Sequence, residues 1–121
     1  MSEKVDLADG FDSFDEQWAP RLAAAPNDHT VKLARIEGAF VWHSHPDSDE
    51  LFLVRDGRVR IELRDRDDVT LETDQLFVVP AGVEHRPVAD GEAEILLFEA
   101  ADVVNTGDAD TDRTSETVPL E

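Results

Sequence analysis

The chain has 121 residues, of which 40% are hydrophobic, and it carries a formal net charge of −18 at pH 7. This length is enough for one domain with one core, and no apolar run reaches the roughly 18 residues that a membrane-spanning helix needs. The 29 acidic side chains against 11 basic ones exclude nucleic acid and anionic membrane surfaces as expected partners, because both carry negative charge.

The chain contains no cysteine, which excludes a disulfide framework, a thiolate metal ligand and a cysteine nucleophile. The first residues, Met1 to Lys4, lack the apolar segment of a signal peptide, so a cytoplasmic location is expected. Acidic residues are scattered along the whole chain rather than gathered in one tail. This pattern predicts a halophilic protein from a salt-rich cytoplasm, with an ordinary acidic mesophilic protein as the alternative.

The first predicted element is a short helical segment near the N-terminus. Phe11, Phe14, Trp18 and Leu22 recur at intervals of three or four residues, which places them on one face of a helix. Pro20 lies inside this stretch and favours a break or a second helix start.

The central part of the chain has the pattern of short β-strands. Val59, Ile61 and Leu63 alternate with charged residues, as in a strand with one face in water. Shorter apolar runs follow at 76–79 and 95–98, separated by polar connections. Short strands divided by turn signals predict an all-β sandwich or small barrel.

Three regions follow from these patterns. Residues 1–30 form an N-terminal segment expected to pack on the barrel, residues 31–101 form the barrel, and residues 102–121 form an acidic tail. The tail is rich in Asp and Thr and nearly devoid of large apolar residues, so we expect it to be poorly anchored from residue 109 onward.

Two segments of the predicted barrel contain histidines beside turn and strand signals. In FVWHSHPDSDELFLVRDG, His43 and His45 stand at the expected end of a strand and share one face. A polar turn then returns the chain and brings Glu50 back beside the two imidazoles. In VVPAGVEHRP, His85 follows another apolar strand and a tight turn. Imidazoles and a carboxylate together suit a divalent first-row metal ion.

These two segments resemble the two motifs of small single-domain cupins, the type-2, mannose-6-phosphate-isomerase-like members of that family. The matching positions are His43, His45, Glu50, Gly57, Pro80, Gly82 and His85. The resemblance covers about residues 31–100 and implies a double-sheet β-barrel similar to a jelly roll. It also implies one divalent metal ion (Fe, Mn, Zn or Ni). Its implied ligands are His43, His45, Glu50 and His85.

Three positions depart from the family's pattern. Gly38 stands five residues before His43, where the family's glycine stands six before. Asp74 occupies the position of the glycine that opens the second motif, and Ala89 replaces the usual final asparagine. None of the three is a ligand position, so metal binding is expected to survive. The shift at Gly38 leaves the strand register around it open.

The resemblance implies either of two kinds of function. One is an enzyme of dioxygenase or isomerase type that acts on a small polar molecule. The other is a non-catalytic cupin that binds a small ligand such as a sugar or a carboxylate. A redox-active ion would suit dioxygen chemistry, and a non-redox ion would act as a Lewis acid. Catalytic residues are not assigned, although general acid–base work could fall to Glu50, metal-bound water or an inward-facing Glu84, because the chain has no tyrosine and neither lysine lies near a motif.

The large apolar residues beside the first histidine motif predict how the chain associates. Phe40 and Trp42 are adjacent to the ligand positions, and strand alternation turns them out of the barrel. They could pack beneath the N-terminal segment or form the interface of a homodimer, which we expect. Arg35 would share the inward face with His43 if no bulge intervenes at Gly38, and would then anchor an anionic substrate. His29 is expected to be exposed and without a role.

Overall fold

The computed structural model describes residues 4–101 and 118–120. These residues contain one short helix, α1 (Leu7–Asp12), and eight strands. The strands are β1 (Arg21–Ala24), β2 (His29–Ala39), β3 (Glu50–Asp56), β4 (Val59–Leu63), β5 (Arg66–Leu71), β6 (Leu76–Val79), β7 (His85–Ala100) and β8 (Val118–Pro119). Within this part of the chain, no helix is long and apolar enough to cross a membrane.

The 16-residue strand β7 is the axis of the sheet. Its first part pairs with β4, its later part pairs with β3, and β2 runs antiparallel along its other edge. The sheet continues in the order β5-β4-β7-β2-β1-β8, and β6 pairs with β3. The prediction of an all-β barrel with a short helix is therefore confirmed. Strand β7 begins at His85 of the second histidine segment and pairs with β3, which begins at Glu50 of the first segment.

Strand alternation places the core inside this barrel. In β4, Val59, Ile61 and Leu63 are buried and the intervening Arg60 and Glu62 are partly exposed, as the sequence predicts. The other inward positions of the main core are Ala34, Ile36, Phe52, Val54, Leu71, Val79, Ala89, Ala93, Ile95 and Leu97. Each large apolar side chain buried in this way contributes about 1.5–3 kcal/mol relative to exposure.

The prediction of one helix face from residue 11 to residue 22 is wrong. The helix begins after Asp6, whose side chain accepts a hydrogen bond from the Asp9 N–H at 3.1 Å, and it ends at Asp12. Trp18 has a positive φ of 59°, which a helix cannot include, and the chain then enters β1. Phe11 and Phe14 nevertheless pack together against Leu33 of β2.

The last described residues return to the barrel. Strand β8 pairs in parallel with β1, and the Leu120 N–H donates to the Leu22 carbonyl at 3.0 Å. Leu120 also packs beside the Phe11 cluster. The expectation of poor anchoring is therefore wrong for 118–120, while the rest of the predicted acidic tail, 102–117 and residue 121, lies outside the described residues.

The first histidine segment does not continue a strand, contrary to the prediction. Strand β2 ends at Ala39, after a register shift against β7 between Ile36 and Gly38, and Gly38 has a φ of +80°. A period of two therefore cannot be carried from β2 to His43. For this reason Phe40, predicted to face outward, is buried with 7% of its surface exposed.

Candidate metal centre

The structure brings the four predicted ligand residues together inside the barrel. His43, His45, Glu50 and His85 are all buried, and each offers one ligand atom within 4.8 Å of the others. The Oε1 atom of Glu50 lies 3.0 Å from Nε2 of His45 and 3.3 Å from Nε2 of His85. This cluster can hold a metal ion.

Main-chain contacts fix the segments that carry these side chains. The His43 N–H donates to the His85 carbonyl at 3.0 Å, and the His85 N–H donates to the His43 carbonyl at 2.8 Å. The His45 carbonyl accepts from the Gly82 N–H at 3.0 Å, in a turn where Gly82 has a φ of +84°. A glycine adopts this conformation without steric cost, which explains its place in the second segment.

Hydrogen bonds from the Nδ1 atoms of His43 and His85 leave their Nε2 atoms free to bind a metal ion. Nδ1 of His43 lies 2.9 Å from the Val41 carbonyl, and Nδ1 of His85 lies 2.9 Å from the Val83 carbonyl. Each Nδ1–H therefore donates to the main chain, and each Nε2 keeps its lone pair for a ligand bond. Nε2 of His45 is buried and lies 3.0 Å from Glu50 Oε1, but it makes no aligned hydrogen bond. An orphaned imidazole nitrogen in this position fits a metal ion.

The electrostatics of the cluster also suit a metal ion. Burial, and after it the neighbouring His85, lowers the pKa of His43 to about 4. Burial alone would raise the pKa of Glu50, but the close side chains of His45 and His85 hold that pKa well below its usual range. A neutral imidazole beside an ionised carboxylate is the protonation state that metal binding requires.

A buried ion pair next to the cluster was missed by the sequence analysis. Lys32 and Glu99 are each 2% exposed, and Lys32 Nζ lies 3.0 Å from Glu99 Oε1. The strand register places Glu99 beside Glu50, because Phe98 of β7 lies opposite Leu51 of β3. Burial, followed by the charge of Glu50, raises the pKa of Glu99, and the Lys32 ammonium opposes that rise.

The strand alternation in the sequence contains a signal for this pair. Lys32 stands between two apolar residues of β2, and Glu99 follows Ile95 and Leu97 on the inward-facing alternation of β7. The expectation that neither lysine lies near a motif is thus wrong for Lys32, because Glu99 links it to Glu50.

Other residues considered for a role lie outside the cluster. Glu84 faces solvent and pairs with Arg64 at 2.9 Å, so its predicted acid–base role is wrong. Arg35 donates to the Phe14 carbonyl at 2.9 Å and pairs with Glu94 at 3.2 Å, and it therefore packs on the N-terminal segment rather than facing the site. Its conditional role as a substrate anchor is excluded by the bulge at Gly38.

His29 and Asp49 also lie outside the cluster. His29 is exposed, as expected, and its ring stacks on Phe98 with centroids 5.0 Å apart. Asp49, a turn residue in the first segment, accepts a hydrogen bond from the Ala81 N–H at 2.8 Å. It thereby ties the two histidine segments together without joining the cluster.

A narrow cavity of about 40 Å³ lies beside His43 and Glu50. Its remaining lining residues are Trp18, Pro20, Ala34, Ile36, Phe40, Phe52, Pro87, Ile95 and Leu97. Trp18 stacks on Phe40 with centroids 4.7 Å apart, and Phe40 meets the His43 ring edge-on at 5.4 Å. The space holds about three water molecules, and its walls are apolar except at the two ligand residues.

Comparison with known proteins gives the family. The model of the cupin domain matches residues 30–100. The uncharacterized protein YdbB of Bacillus subtilis (strain 168) is 43% identical over 60 residues, which cover 50% of this chain and 53% of that protein, so the match spans about half of its length. The crystal structure of a cupin-2 domain containing protein from Shewanella frigidimarina NCIMB 400 is 42% identical with a TM-score of 0.77, over 79% of this chain and 93% of that one.

A more distant structure shares the fold alone. Hydroquinone 1,2-dioxygenase from Sphingomonas sp. TTNP3, in complex with 4-nitrophenol, has a TM-score of 0.74 at 19% identity, over 83% of this chain and 33% of that one. The family model and the Shewanella structure together cover the barrel and both histidine segments. The chain therefore belongs to the cupin family.

Proposed function

We propose that this cupin is a metal-dependent enzyme of dioxygenase type that acts on a small, flat and largely apolar molecule. The observation that carries the proposal is the cavity beside the cluster, which is walled by aromatic and aliphatic side chains and reaches His43 and Glu50. We further propose His43, His45, Glu50 and His85 as the ligands of one divalent ion, because their donor atoms converge and are buried.

The lining of the cavity supports dioxygenase rather than isomerase chemistry, the two reaction types left open by the sequence. Neither lysine nor arginine is among the residues that line it, so a phosphate group held away from the proposed metal ion would have no counter-charge there. An apolar substrate that offers one oxygen atom to the metal loses little on entering such a space. A bound Fe or Mn ion would supply the redox chemistry with dioxygen.

The chain's own residues have definite tasks in this proposal. The main-chain carbonyls of Val41 and Val83 hold the rings of His43 and His85 with Nε2 toward the centre. Phe40 and Trp18 form an aromatic wall that positions a flat ring and excludes water. A ring would need more room than the cavity of about 40 Å³ offers, and Trp18 is the lining residue whose displacement would widen it.

The test uses metal-depleted protein reloaded separately with Fe²⁺, Mn²⁺ and Zn²⁺. An oxygen electrode then measures dioxygen uptake with catechol, hydroquinone and substituted phenols, and a coupled assay measures turnover of sugar phosphates. We expect uptake with a phenol and Fe²⁺ or Mn²⁺ but not with Zn²⁺. Turnover of a sugar phosphate with Zn²⁺ and no dioxygen uptake under any condition would overturn the dioxygenase proposal in favour of the isomerase type.

A non-catalytic cupin that binds a small ligand is the second candidate. The small size of the cavity and the stacking of Trp18 on Phe40 favour it, since a binding module gains from a shielded ligand. Saturable binding of a phenol to the metal-loaded protein without dioxygen uptake or product would support this candidate. Mass spectrometry of the phenol recovered after incubation shows whether it was only bound or also converted.

We also propose that the protein is a cytoplasmic homodimer, on a different surface from the one predicted. Phe40 is buried, and Trp42 is covered by the guanidinium groups of Arg64 and Arg86, which lie 3.7 and 5.1 Å from its ring centroid. The predicted patch therefore lacks Phe40, which stacks on Trp18, and keeps only the partly exposed Trp42.

The outer face of β6 offers a better patch for a second copy. Leu76 and Val78 are 56% and 40% exposed, and they flank the partly buried Leu53 and Leu51 of β3. Within the described residues β6 pairs with β3 alone, which leaves its other edge open. Light scattering in molar KCl should give about twice the 13.5 kDa of one chain, and Leu76→Glu should reduce it to the monomer. A monomeric wild type would contradict the dimer.

A further inference from the structure

The buried charges of this protein converge on one place. Within residues 4–101 and 118–120, every buried ionisable side chain belongs either to the metal cluster or to the pair of Lys32 and Glu99. A buried ion pair is a poor source of stability, because removing two charges from water offsets their attraction. The location of the pair beside the cluster therefore needs a reason other than the stability of the barrel.

The strand register explains how the pair reaches the cluster. Lys32 of β2 lies opposite Leu97 of β7, which places Glu99 two residues farther along the same inward face. On the other edge of β7, Phe98 lies opposite Leu51, so Glu50 and Glu99 are neighbours across the strands. The contacts run from Lys32 through Glu99 to Glu50 and cross three strands inside the barrel.

We infer that Lys32 and Glu99 are positioning residues that hold the Glu50 carboxylate in place for a metal ion. The inference rests on the proposed metal-binding function. Lys32 Nζ is 3.0 Å from Glu99 Oε1 and anchors that carboxyl group, and the strand register places the buried Glu99 beside the buried Glu50. Glu50 is thereby fixed with Oε1 toward His45 and His85.

This arrangement matters because a glutamate side chain has several rotatable bonds. Glu50 borders an apolar cavity that offers its carboxylate no other polar partner apart from His43. Partners of this kind behind a ligand restrict its orientation, and their loss lowers metal affinity about 10- to 100-fold. The pair would therefore act through Glu50 and not through contact with substrate.

The test compares variants that separate positioning from stability. Lys32→Leu/Glu99→Leu removes both charges together, so no unpaired charge remains in the core and folding is preserved. Glu99→Gln keeps an oxygen for Lys32 and an N–H donor for Glu50. Glu94→Leu is the matched control, because Glu94 lies on the same strand but pairs with Arg35 on the outer face.

Each variant is purified without a histidine tag, checked by thermal unfolding, and titrated with Co²⁺ and Zn²⁺ against a chromophoric chelator. The visible spectrum of the Co²⁺ form reports the geometry of the centre. We expect the double variant to bind about 10- to 100-fold more weakly with an altered Co²⁺ spectrum. Glu99→Gln and Glu94→Leu should bind within about threefold of the wild type.

The outcomes separate the two proposals. A wild type that binds neither ion would overturn the proposed function, and this inference with it. A wild type that binds, with a double variant of equal affinity and an identical Co²⁺ spectrum, would overturn the inference alone and make the pair structural. An equal loss in Glu99→Gln and in the double variant would also overturn it, since the charge of Glu99 and not its position would then govern binding.

Discussion

Two groups of charged side chains lie on opposite faces of the same barrel. The inner group joins Lys32 and Glu99 to Glu50, and its members are 2–3% exposed. The outer group joins Glu62 to Arg86 at 2.7 Å and to Arg60 at 3.1 Å, with both arginine side chains about one-third exposed. Strand β7 contributes one residue to each group, Glu99 inward and Arg86 outward.

The difference shows that distance alone does not measure what an ion pair contributes. The nitrogen–oxygen distances of the two groups are similar, but water and salt screen only the outer one. An exposed pair contributes about 0.2–1 kcal/mol, whereas breaking a buried pair by removing one partner costs about 3–5 kcal/mol. Burying the charges of the inner group therefore costs desolvation free energy, whereas the outer group costs almost none.

The largest expected effect is on metal binding at the cluster beside the inner group. His45→Ala removes a proposed ligand whose Nε2 is buried and makes no aligned hydrogen bond, so we expect the loss of stoichiometric metal binding and an affinity at least about 100-fold lower. Elemental analysis of dialysed protein measures the stoichiometry. The control is His29→Ala, an exposed histidine outside the cluster. Full stoichiometry in His45→Ala would contradict the ligand assignment.

The next largest effect is the loss of stability when one charge is removed from the inner group, compared with the same change in the outer group. Lys32→Leu leaves Glu99 buried without its cation, and the free energy of unfolding should fall by about 3–5 kcal/mol. Arg86→Leu, in the outer group, should lower it by less than about 1 kcal/mol. Urea unfolding of the metal-free proteins measures both values. Equal losses would show that burial does not distinguish the two groups.

Salt should raise the stability of the whole chain because it screens the net negative charge, even though it weakens the outer ion pairs. At −18 the chain repels itself, and screening by salt relieves that repulsion although it weakens the outer pairs. The melting temperature should therefore rise between 0.1 and 3 M KCl by at least roughly 5 °C, which corresponds to about 1 kcal/mol in a domain of this size. A flat profile in differential scanning calorimetry would count against the halophilic prediction.

The smallest effect is that of Glu62→Gln. Hydrogen bonds from Arg86, partly opposed by burial, lower the pKa of Glu62 below its usual 4.5. A carboxylate with a lowered pKa stabilises the fold above its usual pKa and loses that contribution as the pH falls through the lowered value. The variant should lose less than about 1 kcal/mol at pH 7, and less still near pH 3. A difference that grows in acid would have the wrong sign.

The strands of the barrel were predictable because their patterns are local. The run at 76–79 coincides with β6, and the alternation of Val59, Ile61 and Leu63 coincides with β4. The four cluster residues were named through the cupin resemblance, and the structure brings them together. Periodicity alone could not have paired His85 with His43, since that contact depends on the path of the chain between them.

Three features could not be read from local pattern. Phe40 turns inward because the strand ends at Ala39, and alternation was carried past that point. Lys32 and Glu99 meet only through the register of β2 against β7. Asp74 occupies a position where the family has glycine and still adopts a φ of +70°, which an aspartate tolerates better than most residues.

The mutual main-chain hydrogen bonds of His43 and His85 have a consequence for how fast an ion arrives and leaves. These bonds, at 3.0 and 2.8 Å, belong to the main chain of the barrel and align the two residues independently of their rings. The entropy of bringing two distant ligands together is thus lost when the chain folds and not when the ion binds. Uptake should then need no unfolding, and the loading rate should be limited by how often water and ions pass the aromatic wall at Trp18.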